Sequence, residues 1–364
     1  MSGFKTLRLI LGDQLNENHS WFDSTDANVV FVMMEMRQET DYTTHHIQKV
    51  IAFFSAMRAF SEKMKSRGHQ FIYLKINDSD NKQELSENLS QLISKLNITC
   101  FEYQLPDEYR LDKQLEDFCK KSGINTKAYD TEHFITTRFE LRNHFAGKKI
   151  YLMESFYRMI RKKTGYLMEN GEPATGKWNY DHDNRSGYTA GVKKIEPLGF
   201  SHNHSKLYAE ITAAGIKTIG TVNEKSFEWP VNREESLKLL EYFCDRLLPQ
   251  FGMWQDMMST SNRTLYHSRI SFALNVKLIS PAEVCEQAIA AWKNRPDEIS
   301  IAQTEGFVRQ IIGWREYMRG IYWDKMPEFS KLNYFGHETP LPGWFWSGNT
   351  KMNCLKQAIN QSLE

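Results

Sequence analysis

The sequence predicts an α/β domain followed by a mostly helical domain. Short β-rich runs alternate with helical patterns in the first third of the chain, and apolar residues recur at helical spacing from about residue 234 onward. The β-rich runs lie at 6–11, 28–34, 70–76 and 98–103, and the helical patterns lie at about 44–66, 82–95 and 110–122. This alternation is typical of a parallel sheet with helices on both faces.

The chain changes character after the α/β part. Gly, Asn, Asp and His cluster between 171 and 204, which indicates a long connecting segment. Beyond it, the stretches 234–248, 281–293 and 303–322 carry apolar faces at helical spacing. We therefore predict an α/β domain at 1–130, a connecting segment at 131–233 and a helical domain at 234–364.

Composition sets broad limits on the class of protein. At 364 residues the chain is long enough for two domains, and its 41% hydrophobic and 25% charged residues are ordinary for a globular protein. The net charge of +1 does not by itself indicate a nucleic-acid partner.

We find no signal-peptide architecture and no apolar run of membrane length, so we expect a cytoplasmic monomer without membrane contact. The five cysteines are scattered and include no C-x-x-C pair.

Polar side chains follow the first two predicted strands. Asp13 and Gln14 come after the first strand, and Glu39 comes after the second. Ligands of open parallel sheets bind beyond the carboxyl ends of the strands, so these groups can surround the polar edge of a ring-bearing ligand. Turn capping by Asp13 and simple solvation of Gln14 and Glu39 explain the same pattern equally well.

A basic stretch runs from 138 to 163, where eight Lys and Arg residues stand against two Glu residues for a local net charge of +6. Arg158, Arg161 and Lys162 fall at i, i+3 and i+4, so we predict one basic helix face. Such a face is either solvated or a contact for the phosphates of a nucleic acid.

Two histidine motifs each admit a functional and a structural interpretation. His45 and His46 are adjacent, and on a helix their side chains would point about 100° apart, which disfavours a shared metal ion. His267 and Ser268 precede a helical pattern. Backbone N–H groups and Ser hydroxyls there suit a diphosphate, although ordinary helix capping is the simpler alternative.

The stretch 305–323, EGFVRQIIGWREYMRGIYW, combines helical apolar spacing with arginines at 309, 315 and 319. An amphipathic core helix with solvated arginines accounts for its composition. The order of its residues resembles the flavin-lining helix of the photolyase and cryptochrome family, and most closely the iron–sulfur bacterial branch, also called prokaryotic (6-4) photolyases. Further blocks resemble that branch in the same order, at 9–15, 45–58, 153–158, 176–185, 267–268 and 352–354.

The resemblance implies light-driven electron transfer from reduced FAD to a (6-4) pyrimidine photoproduct in UV-damaged DNA. It implies an antenna domain built on the parallel sheet and a helical FAD-binding domain. The residues that it places at FAD are Gln255, Asp256, His267, Ser268, Ser271, Gln310 and Arg315. The residues that it places at a 6,7-dimethyl-8-ribityllumazine antenna are Asp13, Gln14, Glu39, Tyr42 and Phe53.

The resemblance also bears on DNA, on electron transfer and on the helix at 305–323. It favours phosphate contacts at Arg158, Arg161 and Lys162, and it assigns Trp346 to the chain of residues that passes electrons to the excited flavin. Arg315 is expected against a flavin-shaped cavity, paired with Glu316 or with the polar edge of the flavin.

The C-terminal end departs from the family pattern. Cys354 aligns with the first of four cysteines that hold a 4Fe–4S cluster in this branch, and the chain stops at Glu364. We therefore expect an incomplete FAD-binding domain that binds no cluster. A truncated chain and a genuine shortened variant both fit the sequence. A blue-light receptor without repair activity and an inactive fragment are the functional alternatives.

Overall fold

The computed structural model describes residues 3–184, 195–257, 259 and 262–364. Arg185, which belongs to one of the motif blocks, lies outside these described residues. The chain divides into two compact units. The first comprises Met1–Asp130, Gly199–Val231 and Ser330–Glu364, and the second comprises Thr131–Leu198 and Asn232–Phe329.

A five-stranded parallel sheet forms the centre of the first unit. The strands in the described ranges are, in chain order, β1 (Thr6–Leu9), β2 (Val29–Met34), β3 (His45–His46), β4 (Phe71–Leu74), β5 (Cys100–Gln104), β6 (Asn125–Tyr129), β7 (Met168–Glu169), β8 (Glu172–Pro173) and β9 (Thr218–Ile219). The sheet order is β4-β2-β1-β5-β6, and all of its pairings are parallel. The chain order reverses between β1 and β5, and α/β proteins bind ligands at such switch points.

Helices account for most of the remaining regular structure. The α-helices in the described ranges are α1 (Arg37–Asp41), α2 (Ile47–Ser66), α3 (Leu85–Leu96), α4 (Tyr109–Lys121), α5 (Glu140–His144), α6 (Met153–Thr164), α7 (Ser205–Ala213), α8 (Arg233–Tyr242), α9 (Leu248–Trp254), α10 (Ser271–Asn275), α11 (Pro281–Asn294), α12 (Ile301–Val308), α13 (Glu316–Lys325), α14 (Trp344–Ser347) and α15 (Asn353–Leu363). The π-helical segments Phe243–Leu247 and Arg309–Arg315 join α8 to α9 and α12 to α13. Among the described residues, no helix combines the length and apolarity needed to cross a membrane.

The core of the first unit follows from the strand sequences. Every residue of β2 is buried, as expected for a strand covered on both faces. Leu7 of β1 and Phe101 of β5 pack into one apolar cluster with leucines from α3 and α4, including Leu89 and Leu115. This cluster fixes the strand ends, and therefore the positions of the loops that follow them.

Local signals set several helix ends. α11 begins with a capping box, in which the side chains of Ser280 and Glu283 each bond the other's backbone N–H, and Pro281 is its first residue. α3 ends at Asn97, whose left-handed backbone (φ 53°) is a common helix terminator. These are the positions at which sequence alone predicts a boundary well.

In the second unit, α9 and α12 approach each other through glycines. A Cβ atom on Gly252 would lie 2.5 Å from Asn184 Oδ1, and one on Gly306 would lie 2.7 Å from Asn184 Nδ2. Real side chains do not tolerate such distances, so both positions require glycine in the present packing. Asn184 is buried between these helices and donates to Ala302 O at 2.8 Å.

The predicted fold class is confirmed: a parallel α/β sheet comes first and helices follow. The helix predicted at 303–322 is present as α12, a π-helical segment and α13. The edge strand β6 was not predicted, because Asn125–Tyr129 contains no apolar run and is mostly exposed. The segment predicted as connecting contains α5, α6 and α7, while the predicted division into 1–130, 131–233 and 234–364 stays a prediction.

Candidate ligand and cofactor sites

A pocket of about 290 Å³ lies at the carboxyl edge of the sheet in the first unit, and we call it the sheet-edge pocket. Residues after β1, β2 and β5 form it together with one face of α2. Its floor is apolar and includes Leu9, Met34, Phe54 and Met57. The carboxyl groups that line it are those of Asp13, Glu39, Asp107 and Glu108. An apolar floor with polar groups along its margin suits a flat ring that carries hydrogen-bond donors.

Four of the five residues predicted at the antenna line this pocket, namely Asp13, Glu39, Tyr42 and Phe53. The fifth, Gln14, does not line it. Its side chain is fully buried, accepts a hydrogen bond from Leu11 N at 3.0 Å and donates to Gln104 O at 3.2 Å. The prediction for Gln14 is therefore wrong: its amide joins the turn after β1 to the end of β5 instead of facing a ligand.

Arg110 organises the acidic margin of the pocket and was not predicted. Its guanidinium donates to Glu39 at 2.8 Å and to Glu108 at 2.9 Å, and it lies 4.6 Å from the centre of the Tyr42 ring. Burial, followed by the Glu108 and Glu39 carboxylates, raises the pKa of Tyr42. Glu39 is thus held in place and partly neutralised before any ligand arrives.

Lys49 and His45 also line the pocket, and sequence analysis assigned neither of them to it. Lys49 Nζ lies 3.2 Å from His45 Nδ1, and His45 Nε2 lies 3.2 Å from Glu39 O. Burial lowers the pKa of Lys49, and burial together with Lys49 lowers the pKa of His45. The spacing of Lys49, Phe53 and Met57, each four residues apart, could have indicated one helix face directed at the pocket.

His46 has a different role from His45. Its Nδ1 accepts a hydrogen bond from Gln48 N at 3.1 Å and so caps the start of α2. Within the described residues, no group of three or more His, Cys, Asp or Glu side chains could hold a metal ion.

The residues predicted at FAD all lie in the second unit. Gln255 and Asp256 follow α9, and His267 and Ser268 precede α10, whose first residue is Ser271. Burial lowers the pKa of His267, and the nearby Asp256 carboxylate opposes that shift. α10 has only five residues, so the predicted helix start offers a short turn of N–H groups and little of the dipole of a long helix.

Buried acceptors beside Gln255 point to missing donors. Gln255 Oε1 and Asn184 Oδ1 are buried and accept no hydrogen bond within the described part of the chain. Both side chains lie close to Gly306, because a Cβ there would be 3.3 Å from Gln255 Oε1 and 2.7 Å from Asn184 Nδ2. Buried acceptors are normally satisfied, so a ligand that carries O–H or N–H groups would fit this place.

Gln310 and Arg315 lie on the π-helical segment, a type of distortion that often marks functional sites. Arg315 does not pair with Glu316. It donates to Leu274 O at 3.2 Å, and its guanidinium lies 4.7 Å from the centre of the Phe134 ring. The buried Glu316 instead accepts hydrogen bonds from Thr136 N at 3.1 Å and from Ile135 N at 3.3 Å. Of the two partners expected for Arg315, Glu316 is thus already occupied by backbone donors, and the polar edge of the flavin stays a prediction.

The predicted basic face lies on α6, but its three cations differ in position. Arg161 is only 1% exposed and donates to the backbone oxygens of Tyr166, Leu167 and Trp178. The prediction that Arg161 contacts DNA phosphates is wrong, because its guanidinium is buried and each of its three nitrogens donates to a backbone oxygen inside the protein. Arg158 and Lys162 are exposed and remain available for such contacts.

Trp346 and Cys354 lie in the C-terminal part of the first unit. Trp346 is 72% exposed on the short helix α14. Cys354 is an exposed free thiol near the start of α15. Their predicted roles stay predictions.

Comparisons with known proteins agree with this architecture. Residues 8–227 match the family described as deoxyribodipyrimidine photo-lyase-related protein. The chain is 33% identical to a (6-4) photolyase from Agrobacterium fabrum strain C58, and the alignment covers 98% of this chain and 70% of that protein.

Two solved structures share the fold at low sequence identity. A bacterial class III photolyase from Agrobacterium tumefaciens superposes with a TM-score of 0.60 at 16% identity, covering 99% of this chain and 69% of its own. A cryptochrome from Synechocystis superposes with a TM-score of 0.60 at 12% identity, covering 100% of this chain and 72% of its own. The chain therefore belongs to the deoxyribodipyrimidine photo-lyase-related protein family and has the fold of the photolyases and cryptochromes.

Proposed function

We propose that this protein is a flavin-dependent enzyme that uses light to repair (6-4) pyrimidine photoproducts in DNA. The observation that carries the proposal is the 33% identity to a (6-4) photolyase over 98% of the chain. The cryptochrome-like fold alone would serve a light receptor equally well, so the experiment must separate repair from light absorption.

FAD, when bound, would supply an electron donor that visible light can excite. The residues that would hold it are Gln255, Asp256, His267, Ser268, Ser271, Gln310 and Arg315. The buried acceptors Gln255 Oε1 and Asn184 Oδ1 fit a cofactor rich in hydroxyl and amino donors. Arg315, fixed by Leu274 O and the Phe134 ring, would present a preorganised cation to an anionic or carbonyl edge.

The sheet-edge pocket would hold the antenna pigment, for which the family resemblance suggests 6,7-dimethyl-8-ribityllumazine. Phe53 and the apolar floor would cover the ring system, while Asp13 and Glu39 would accept hydrogen bonds from ribityl hydroxyls. Lys49 would donate to a ring carbonyl, since it is the only Lys or Arg among the described residues that line the pocket.

Three further assignments belong to this proposal. Arg158 and Lys162 would contact DNA phosphates, and the exposed Trp346 would form the surface end of an electron path. We expect no 4Fe–4S cluster, because Cys354 supplies one thiolate where four are needed. Stoichiometric iron and acid-labile sulfide in the purified protein would contradict the last point.

The test uses the full chain, purified and incubated with FAD. Retained flavin is measured from its visible absorption after gel filtration. The reduced protein is then illuminated with an oligonucleotide that carries one (6-4) photoproduct, and restored bases are counted by chromatography. Light-dependent restoration supports the proposal. Retained flavin without repair favours a light receptor, and failure to retain flavin favours an inactive fragment.

A further inference from the structure

Three cations of α6 surround a single indole ring in the second unit. The guanidinium carbons of Arg158 and Arg161 each lie 5.2 Å from the centre of the Trp178 ring, and Lys162 Nζ lies 5.6 Å from it. The basic helix face that the sequence predicts is therefore real, but it is directed at a partly exposed tryptophan. The faces of aromatic rings attract cations, and tryptophan attracts them most strongly.

Arg161 fixes the loop that carries this ring. It donates to Trp178 O at 2.7 Å and to Tyr166 O at 3.2 Å, and it also bonds Leu167 O. These bonds join both ends of the segment 166–178 to α6. A buried guanidinium with three carbonyl acceptors is costly to disturb, so Trp178 is held in one place relative to the helix.

The exposed cations of the cluster are neutralised to different degrees. Arg158 pairs with Glu154 at 2.9 Å, while Lys162 forms no ion pair within the described part of the chain. Lys177, next to the ring, is exposed and lies 3.6 Å from Asp183. Positive groups crowded on one ring repel each other, and an incoming anion would relieve that repulsion.

We propose that Arg158, Lys162 and Trp178 form a contact for the phosphate backbone of DNA, in which the indole positions the two cations and Arg161 positions the indole. The ring holds the two long side chains near one orientation but leaves their N–H groups able to donate. Ordering these side chains in advance lowers the entropy lost on binding. The inference rests on the proposed function only in taking DNA as the partner, and it requires neither flavin nor light.

The test measures binding of a short fluorescein-labelled DNA duplex by anisotropy, in the dark, at salt concentrations from roughly 50 to 200 mM. The variants are Trp178→Leu, Trp178→Phe and the pair Arg158→Gln with Lys162→Gln. Matched controls are Tyr208→Leu, which removes an exposed aromatic ring, and Lys95→Gln with Lys120→Gln, which removes two exposed charges. Circular dichroism and thermal unfolding check that each variant is folded.

The expected results differ among the variants. Loss of two phosphate contacts should lower the slope of log affinity against log salt by about 2 in the double variant. Trp178→Leu retains both charges, yet it should weaken binding about tenfold and lower the slope, because the cations lose their positioning ring. Trp178→Phe should restore most of the affinity, and both controls should match the wild type.

Two outcomes would overturn the inference. Unchanged affinity and salt slope in the double variant would show that α6 does not contact DNA. A loss in Trp178→Leu that leaves the slope unchanged, and that Trp178→Phe does not restore, would show that the ring only stabilises the fold. Either result can occur while light-dependent repair persists, so it is distinguishable from a failure of the proposed repair activity.

Discussion

At the level of single residues, Glu316 shows how this fold accommodates a buried charge. Its carboxylate is buried and accepts hydrogen bonds from Ile135 N, Thr136 N and the Thr136 hydroxyl. The burial cost of an ion is thus offset by donors of the main chain at the start of the second unit. The arginine next to it in sequence takes no part.

Glu316→Ala should destabilise the protein by about 2–4 kcal/mol, because it removes the acceptor of the buried Thr136 N–H and hydroxyl and of the partly buried Ile135 N–H. Glu316→Gln should cost less, since its amide oxygen still accepts the bonds from Thr136. Urea unfolding measures both values. The exposed Glu338→Gln serves as control and should leave the midpoint unchanged. An alanine variant as stable as the control would show that these bonds contribute nothing.

Glu305 should give the protein a distinct pH dependence of stability. Burial raises the pKa of Glu305 above its ordinary value of 4.5, although Tyr157 OH at 2.8 Å and Tyr180 N at 3.0 Å donate to it and oppose that shift. The folded state therefore holds the proton more tightly than the unfolded state does. The corresponding stability is present below about pH 4.5 and is lost as the pH rises through the folded pKa.

Glu305→Gln removes this titration while keeping a group that can bond both Tyr157 OH and Tyr180 N. The variant should therefore gain stability relative to the wild type as the pH rises from about 4.5 to 7. Urea unfolding across that range gives the difference. Glu298→Gln, an exposed carboxylate on a neighbouring loop, should show no such trend. A constant difference between Glu305→Gln and wild type would contradict the direction of the shift.

Single residues also mark the limit of what sequence predicts about the sites. Asp13, Glu39, Tyr42 and Phe53 line the sheet-edge pocket as expected, whereas Gln14 turns inward to bond the backbone. Residue type and spacing place a side chain near a strand end or on a helix face. They do not say whether it points to a cavity or to an unsatisfied carbonyl, and Arg161 was misassigned for that reason.

At the level of elements, strong periodicity was predicted well and weak periodicity was not. β2 and α2 carry long apolar patterns and were expected, while the exposed edge strand β6 has none. An apolar pattern does not reveal the π-helical segment Arg309–Arg315. The number of residues in a π-helical turn exceeds that in an α-helical turn by only about one, so the spacing of apolar residues hardly changes. The contact of α9 with α12 depends on glycines, whose role appears only when the helices are placed together.

Gly252→Ala should destabilise the second unit by about 1–3 kcal/mol, because the new methyl group would meet Asn184 Oδ1 at 2.5 Å and Gln303 Oε1 at 2.8 Å. Gln303 cannot move freely, since its Oε1 accepts a hydrogen bond from Gly252 N. The matched control is Gly343→Ala, because a Cβ atom added at Gly343 would have no other atom within 4 Å. This substitution should be neutral. Equal thermal midpoints for the two variants would show that the helices can separate at no cost.

At the scale of the whole molecule, the candidate sites belong to different compact units. The sheet-edge pocket is built entirely from residues of the first unit, and the residues expected at FAD all lie in the second. Buried apolar side chains occur in both units. The residues assigned to one ligand include none of those assigned to the other. A substitution at one site therefore leaves the contacts assigned to the other ligand in place, and we expect the two ligands to bind independently.

This independence gives a prediction with a reciprocal control. Phe53→Ala, which removes a ring from the pocket wall, should weaken binding of 6,7-dimethyl-8-ribityllumazine about tenfold and leave FAD content unchanged. Arg315→Met should lower FAD content and leave lumazine binding unchanged, because it removes a cation of the second unit only. Lumazine fluorescence and flavin absorption report the two ligands separately in one sample.

If either variant lost both ligands, the sites would be coupled or the variant misfolded, and circular dichroism would decide between these. If Phe53→Ala kept full lumazine affinity, the pocket would not be the antenna site, whatever the fate of the flavin.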